Sequence, residues 1–171
     1  MKKTILLTLL FVACAFTASA QKFALIDMEY ILNSIPAYEQ ANNQLNRASQ
    51  QYQSEVEAKA KEAEALYKDY QKASASLTAA QKTQREEAIV AKEREAAELK
   101  KKYFGPDGEM AKKQEALVAP IQDKIYEAVK QIAEQKGYAV VVDRASAQSI
   151  IFATPSIDIS NEVLSKLGYS N

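Results

Sequence analysis

Three aspartates, Asp27, Asp143 and Asp158, are the residues whose type best suits acid/base or metal chemistry, because a carboxylate moves protons and offers oxygen ligands. Each stands at the end of a β-prone run or near a helix cap, where Asp is favoured for its hydrogen bonds to the backbone. A backbone role is therefore the expectation for all three. The remaining inventory closes off most other catalysis. The 171 residues include no His and one Cys, so no Ser/His/Asp or Cys/His triad, no His-based proton shuttle and no HExxH zinc helix can be built. Asp107-Gly108-Glu109 is too short for a calcium loop, which needs a run of spaced oxygen ligands. The chain is expected to be no enzyme, with no catalytic residues, no metal and no cofactor. With 22 basic and 22 acidic residues, it also lacks the positive footprint that nucleic acid requires.

The elements that would carry any site begin after a leader. Met1-Lys2-Lys3 is a short basic start, Ile5 to Phe16 an apolar run, and Ala18-Ser19-Ala20 a small-residue cleavage site; together they predict a secretory signal over residues 1–20. The apolar run is shorter than the roughly 20 residues a membrane span needs. The mature chain would start at Gln21, soluble and exported, with 20 basic against 22 acidic groups. Phe11-Val12-Ala13-Cys14 loosely resembles a lipoprotein box, but its first residue is atypical and a better cleavage site follows. Cys14 therefore leaves with the leader. An exported chain without cysteine must draw its stability from packing or assembly.

Between Pro36 and Gly105, 68 consecutive residues contain neither Gly nor Pro. They are rich in Ala, Gln, Glu and Lys, which favour helix, and carry Glu-to-Lys pairs four apart at Glu55/Lys59, Glu57/Lys61, Glu64/Lys68 and Glu98/Lys102. Tyr38, Leu45 and Tyr52 recur every seven residues, and after a four-residue offset Val56, Ala63, Tyr70 and Leu77 resume the count; Ile89, Ala96, Tyr103, Met110 and Leu117 form a second series. Two heptad seams predict two helices side by side, the first with one stutter. Thr78-Ala79-Ala80-Gln81 fits a capping box and lies near the midpoint between Pro36 and Pro120. The spacing thus predicts an antiparallel hairpin over 37–119 with its tip near 74–78 and arms of roughly 60 Å. Phe104-Gly105-Pro106-Asp107-Gly108 becomes a break or kink in the returning arm.

Phe23 to Ile26 and Tyr138 to Val142 read as strands, and Ser149 to Ala153 as a third. Ile121, Ile125, Val129 and Ile132 make an amphipathic stripe that Pro120 opens and Gly137 closes. A capped terminal helix over Ser160 to Leu167 stops at Gly168. Residues 21–36 and 120–171 then form one small body, in which Phe23, Leu25, Val140, Val142 and Ile151 are the candidate oligomerisation residues. So small a body is marginal alone, and its open strand edges invite pairing with another copy. The fold class expected is α+β, long coiled-coil hairpin arms on a small oligomeric body.

Several pieces in this order resemble the Skp/OmpH family of periplasmic chaperones. They are the exported start, Phe23-Ala24-Leu25-Ile26-Asp27 followed by Tyr30-Ile31-Leu32 and Pro36, the charged hairpin, the passage from Pro120-Ile121 through Gln135-Lys136-Gly137-Tyr138 to Val141-Val142-Asp143, and the closing Asp158-Ile159-Ser160-Asn161-Glu162-Val163-Leu164. The resemblance implies a homotrimer with a β-barrel body and three helical arms around a cavity. It implies an ATP-independent periplasmic holdase for unfolded outer-membrane β-barrel proteins. The better-known members are strongly basic, whereas here 37–119 carries 14 acidic and 14 basic groups.

Within the arms, Tyr52, Leu66, Tyr67 and Tyr70 are the candidates for client contact, since tyrosine offers an amphipathic surface tolerant of many partners; the plainer reading is that they fill the seam between the helices. Lys68, Lys72, Lys82 and Arg85, against Asp69, make a candidate basic tip for lipid headgroups or acidic clients, beside the plainer reading of an ordinary solvated surface. Two other functions compete: a periplasmic coiled-coil spacer or adaptor, and an envelope hydrolase using Asp27 and Asp143.

Overall fold

The computed structural model describes residues 22–147 and 149–169. The predicted leader over 1–20, its Cys14 and Gln21 lie outside the described residues. No helix among the described residues is long and apolar enough to cross a membrane. The elements, in order, are β1 (Lys22–Ile26), α1 (Met28–Asn33), α2 (Pro36–Ala73), α3 (Ala79–Phe104), α4 (Glu109–Lys136), β2 (Tyr138–Asp143), a 3-10 turn (Pro155–Ile157) and α5 (Ser160–Lys166). They fall into two compact units, one of residues 35–123 and the other of the flanking segments up to 34 and from 124 onward.

The first unit is built on the antiparallel pair α2 and α3. Pro36 starts α2 at the position where its missing N–H costs nothing, and 37 further residues without a breaker carry the helix to Ala73. Thr78 starts α3 through a complete capping box: its side chain accepts the Gln81 amide, and the Gln81 side chain accepts the Thr78 amide. The chain therefore reverses over Ser74–Leu77. The seven-residue repeat is a burial repeat. Ala63 on α2, and Ile89, Ala96 and Tyr103 on α3, are buried, Tyr38, Leu45, Tyr52, Val56, Tyr70 and Leu77 are half-buried, and Ala41, between two repeat positions, is buried as well.

Of two sequence expectations about the returning arm, one is narrowed and one needs correction. Phe104-Gly105-Pro106-Asp107-Gly108, expected as a break or kink, is a break: α3 ends at Phe104 and α4 begins at Glu109. Pro106 bars helical geometry from the residue before it, and Gly105 is accordingly extended, at φ −66° and ψ 168°. Gly108 packs so tightly that a Cβ there would lie 2.8 Å from the Tyr103 carbonyl oxygen. Pro120, in turn, opens no helix, because it lies inside α4. Good helix formers on both sides outweigh the roughly 3 kcal/mol that an interior proline costs.

The second unit holds a parallel pair, β1 beside β2, in the register Phe23↔Val140, Ala24↔Val141, Leu25↔Val142 and Ile26↔Asp143. On the other side of β1, Leu25 forms a bridge with Asp158, and the Ile159 amide donates to the Leu25 carbonyl at 2.9 Å. The buried residues of this unit, besides those of β1, include Ile31 and Leu32 of α1, Ile125, Ala128 and Ile132 of α4, and Val163 and Leu164 of α5. Gly137, at φ 71°, takes the left-handed conformation that ends α4 and leads into β2. The expected third strand over 149–153 is not one. Residues 149–154 carry no ladder, because the place next to β1 goes to Asp158 and residue type alone supplies no pairing partner. Ile151 and Phe152 are left 100% and 83% exposed.

Candidate functional site

The three aspartates serve the backbone. Asp27 accepts the Tyr30 amide at 2.9 Å, capping α1, and takes an ion pair from Arg144 at 3.2 Å. Asp143 accepts the amides of Met28 and Ala145, each at 3.1 Å, which ties the end of β2 to the start of α1. Asp158 accepts the Ser160 amide at 2.9 Å at the start of α5. They line or adjoin a hollow of about 370 Å³ whose polar wall is Asp27, Tyr30, Arg144, Asp158, Ser160 and Asn161. Its polar groups are already engaged with one another: Tyr30 donates to Asn161 at 2.9 Å, and Ser160 accepts the Asp27 amide at 2.8 Å. Among the described residues, no group of three His, Cys, Asp or Glu converges as a metal site.

The arm holds the more distinctive constellation. Tyr52 of α2 stacks on Tyr103 of α3 with centroids 4.0 Å apart and planes 7° from parallel, and Phe104 meets Tyr52 edge-on at 6.4 Å. The Tyr103 hydroxyl donates to Glu55. Toward the tip the chemistry is mirrored: the Tyr70 hydroxyl of α2 donates to Glu86 of α3. Midway between them, Lys92 reaches across to Glu62 at 3.5 Å while also holding Glu95 at 2.8 Å. Each cross-helix pair is centred within one residue of Thr78, as a reversal there requires. The seam is thus a zipper of alanine contacts with a tyrosine-carboxylate latch toward each end.

The sequence candidates divide between these environments. Tyr52 stacks in the seam on Tyr103 and Tyr70 hydrogen-bonds across it to Glu86. Leu66 is half-buried, and Tyr67 is 48% exposed. At the tip Lys68 is held by Glu64 at 2.5 Å and Lys72 faces Asp69 at 3.8 Å. Lys82 is half-buried and Arg85 exposed. Over 64–87 the chain carries four acidic and four basic groups, so the cations lie among an equal number of carboxylates. In the other unit Leu25 is buried, Val142 half-buried, and Phe23, Val140 and Ile151 exposed. The glutamate partners of the tyrosines, Glu55 and Glu86, were not singled out from sequence. They become findable once Thr78 is taken as the centre of the hairpin, since residues equidistant from it face each other.

Four carboxyls are held low, Glu62 and Glu64 chiefly by hydrogen bonds from Lys59 and Lys68, and Glu55 and Asp143 by other donors. Accepting the Tyr103 hydroxyl, and secondarily the Gln51 amide, keeps Glu55 below the usual carboxylate range. Burial pushes Asp143 up, but hydrogen bonds from the Met28 amide, the Ser146 side chain and the Ala145 amide outweigh it and leave its carboxyl low. A carboxyl depressed in the folded state adds stability above its unfolded pKa, near 4, and that contribution fades as pH falls through the folded value. Thermal melting followed by circular dichroism should therefore show Tm falling below about pH 4, and Asp143→Asn, which cannot titrate, should flatten that fall. An unchanged acid profile in the variant would remove Asp143 from the explanation.

Comparison with known proteins places this architecture. The outer membrane protein family described as OmpH-like matches residues 22–167. The chaperone protein Skp of Yersinia enterocolitica is 28% identical over 169 residues, covering 98% of this chain and 99% of the relative. The chaperone protein Skp of Pectobacterium atrosepticum is 25% identical, covering 94% of each. A crystal structure of an OmpH-like outer membrane chaperone from Caulobacter crescentus superposes with a TM-score of 0.65 at 13% identity, covering 87% of this chain and 85% of that one. At that identity the likeness speaks for the fold.

Proposed function

Since the chain belongs to the OmpH-like outer membrane protein family, we propose that it is a non-enzymatic, ATP-independent holdase of the periplasm that keeps unfolded outer-membrane β-barrel proteins from aggregating. The match over nearly the whole length of relatives named as chaperones carries this reading. The arm suits the task physically. A holdase hides apolar segments without imposing one geometry, which favours many weak contacts over a shaped pocket. A seam of alanines latched by tyrosines adds little burial, so an arm of this kind flexes at small cost.

Assembly completes the proposal. Phe23, Val140, Ile151 and Phe152 all stand exposed in the unit that contains the two-stranded sheet, and among the described residues β2 pairs only with β1. Three copies, the number that the family suggests, would cover these residues and close the strands into a shared barrel. The arms of the assembled copies then surround the client, with Leu66, Tyr67 and the half-exposed seam tyrosines among the contacts and the cations near the tip meeting acidic client or headgroup surfaces. The residues flanking the arm, from 21 to 36 and from 120 to 171, act as the oligomerisation body.

Suppression of aggregation tests the function. A denatured outer-membrane barrel protein diluted from urea should scatter far less light in the presence of an equimolar assembly, with no nucleotide added. Scatter unchanged at equimolar assembly would overturn the reading. Pull-downs that return one folded partner in place of many unfolded ones would favour an envelope adaptor instead.

A further inference from the structure

We propose that the shallow groove formed by Ala60, Ala63, Glu64 and Tyr67 of α2 with Glu93 and Ala96 of α3 seats an apolar client side chain whose neighbour along the client is Lys or Arg. This rests on the holdase reading and adds where on the arm a segment docks and which segments dock best. The groove exists because alanines line this stretch of the seam. Side chains that stop at Cβ leave a hollow of about 360 Å³ between the helices, within the range of small-ligand sites, about 300–1,000 Å³. Tyr67 stands over it, 48% exposed. Val90, 60% exposed, and Ala97 are three and four positions from Glu93 and so share its face of α3. Apolar surface thus continues beyond the hollow.

The charged lining of the groove is wholly acidic; of the cations nearby, Lys68, Lys92 and Lys59 are engaged with carboxylates, while Lys61, secondary to Lys68, lowers the Glu64 pKa through its charge without forming an ion pair. Glu64 is held by Lys68 at 2.5 Å. Lys92 spans Glu62 and Glu95, and Lys59 holds Glu62 at 3.0 Å. Glu93 has no ion-pair partner among the described residues. A client cation beside a seated apolar group would complete the pair that the arm leaves open. An acidic neighbour would face uncompensated negative charge. Charge complementarity therefore selects Lys- or Arg-flanked apolar segments over acid-flanked ones.

Two fluorescent peptides of the same alternating Leu/Thr sequence, one flanked by Lys and one by Glu, test this when titrated onto the assembled full-length secreted protein. At low salt the Lys-flanked peptide should bind about threefold tighter, the scale of one exposed ion pair, and the difference should shrink as salt is raised. Glu93→Gln should equalise the two peptides, and Glu93→Lys should reverse their order. Ala60→Trp, which fills the hollow from an exposed position, should weaken both. Unchanged circular dichroism and Tm would show that each variant is folded. Equal affinities in the unaltered protein, with aggregation suppression intact, would overturn the groove and leave the holdase standing. Loss of both peptide binding and suppression in the unaltered protein would overturn the two together.

Discussion

Replacing Ile31 by Ala is expected to cost about 3 kcal/mol, within the span of roughly 2–5 kcal/mol measured for buried Ile-to-Ala changes. Ile31 is fully buried, among the largest side chains with no exposed surface. It sits on α1, whose first turn is tied down by Asp27 and whose amide at Met28 is held by Asp143. With both ends of that turn fixed, the backbone has little freedom to collapse into the space left by the missing atoms, which places the change above the bottom of the range. In a chain of this size the loss corresponds to a fall in Tm of about 10 °C. Val90→Ala, on the exposed face of α3, should stay within about 0.5 kcal/mol of the parent. Equal Tm shifts for the two variants would mean that the body is not the packed core described here.

Introducing charge at the exposed apolar pair, as Ile151→Asp with Phe152→Asp, should leave the packing within each chain untouched and separate the copies. Neither residue is covered by its own chain, so the substitution removes no internal packing. In the proposed assembly both would be desolvated, and a carboxylate buried without a partner is strongly unfavourable. The dissociation constant of the assembly should rise by a hundredfold or more, equivalent to about 2.8 kcal/mol, and sedimentation across a dilution series reads it directly. Aggregation suppression should fall in step, because isolated arms enclose nothing. A variant with the parent's mass distribution at every concentration would place the interface elsewhere.

The reversal of the arm was legible in sequence because its signals are local: a long stretch without Gly or Pro, and a capping box at Thr78-Gln81 that is complete in the structure. The strands at Lys22–Ile26 and Tyr138–Asp143 were legible for the same reason, as short apolar runs ended by Asp. Ser149 to Ala153 has similar composition and forms no strand: β1 already has β2 on one side and Asp158 on the other, and residues 149–153 do not pair along the remaining edge of β2. Pro120 misled because a first-turn signal and an interior proline look alike until the helix before it is known to start at Glu109. For the arm candidates, heptad spacing placed Tyr52 and Tyr70 on the seam, but it does not say how far a side chain stands out of it. Tyr67, four residues after Ala63 and three before Tyr70, is the one that emerges beside the groove.

The most direct measurement is the mass of the complex with a client. Light scattering coupled to size exclusion, on this protein mixed with a urea-denatured outer-membrane barrel protein and no nucleotide, should give a soluble species of three chains plus one client. A client found only in the void volume, with this protein eluting at the same mass whether or not client was added, would contradict the account.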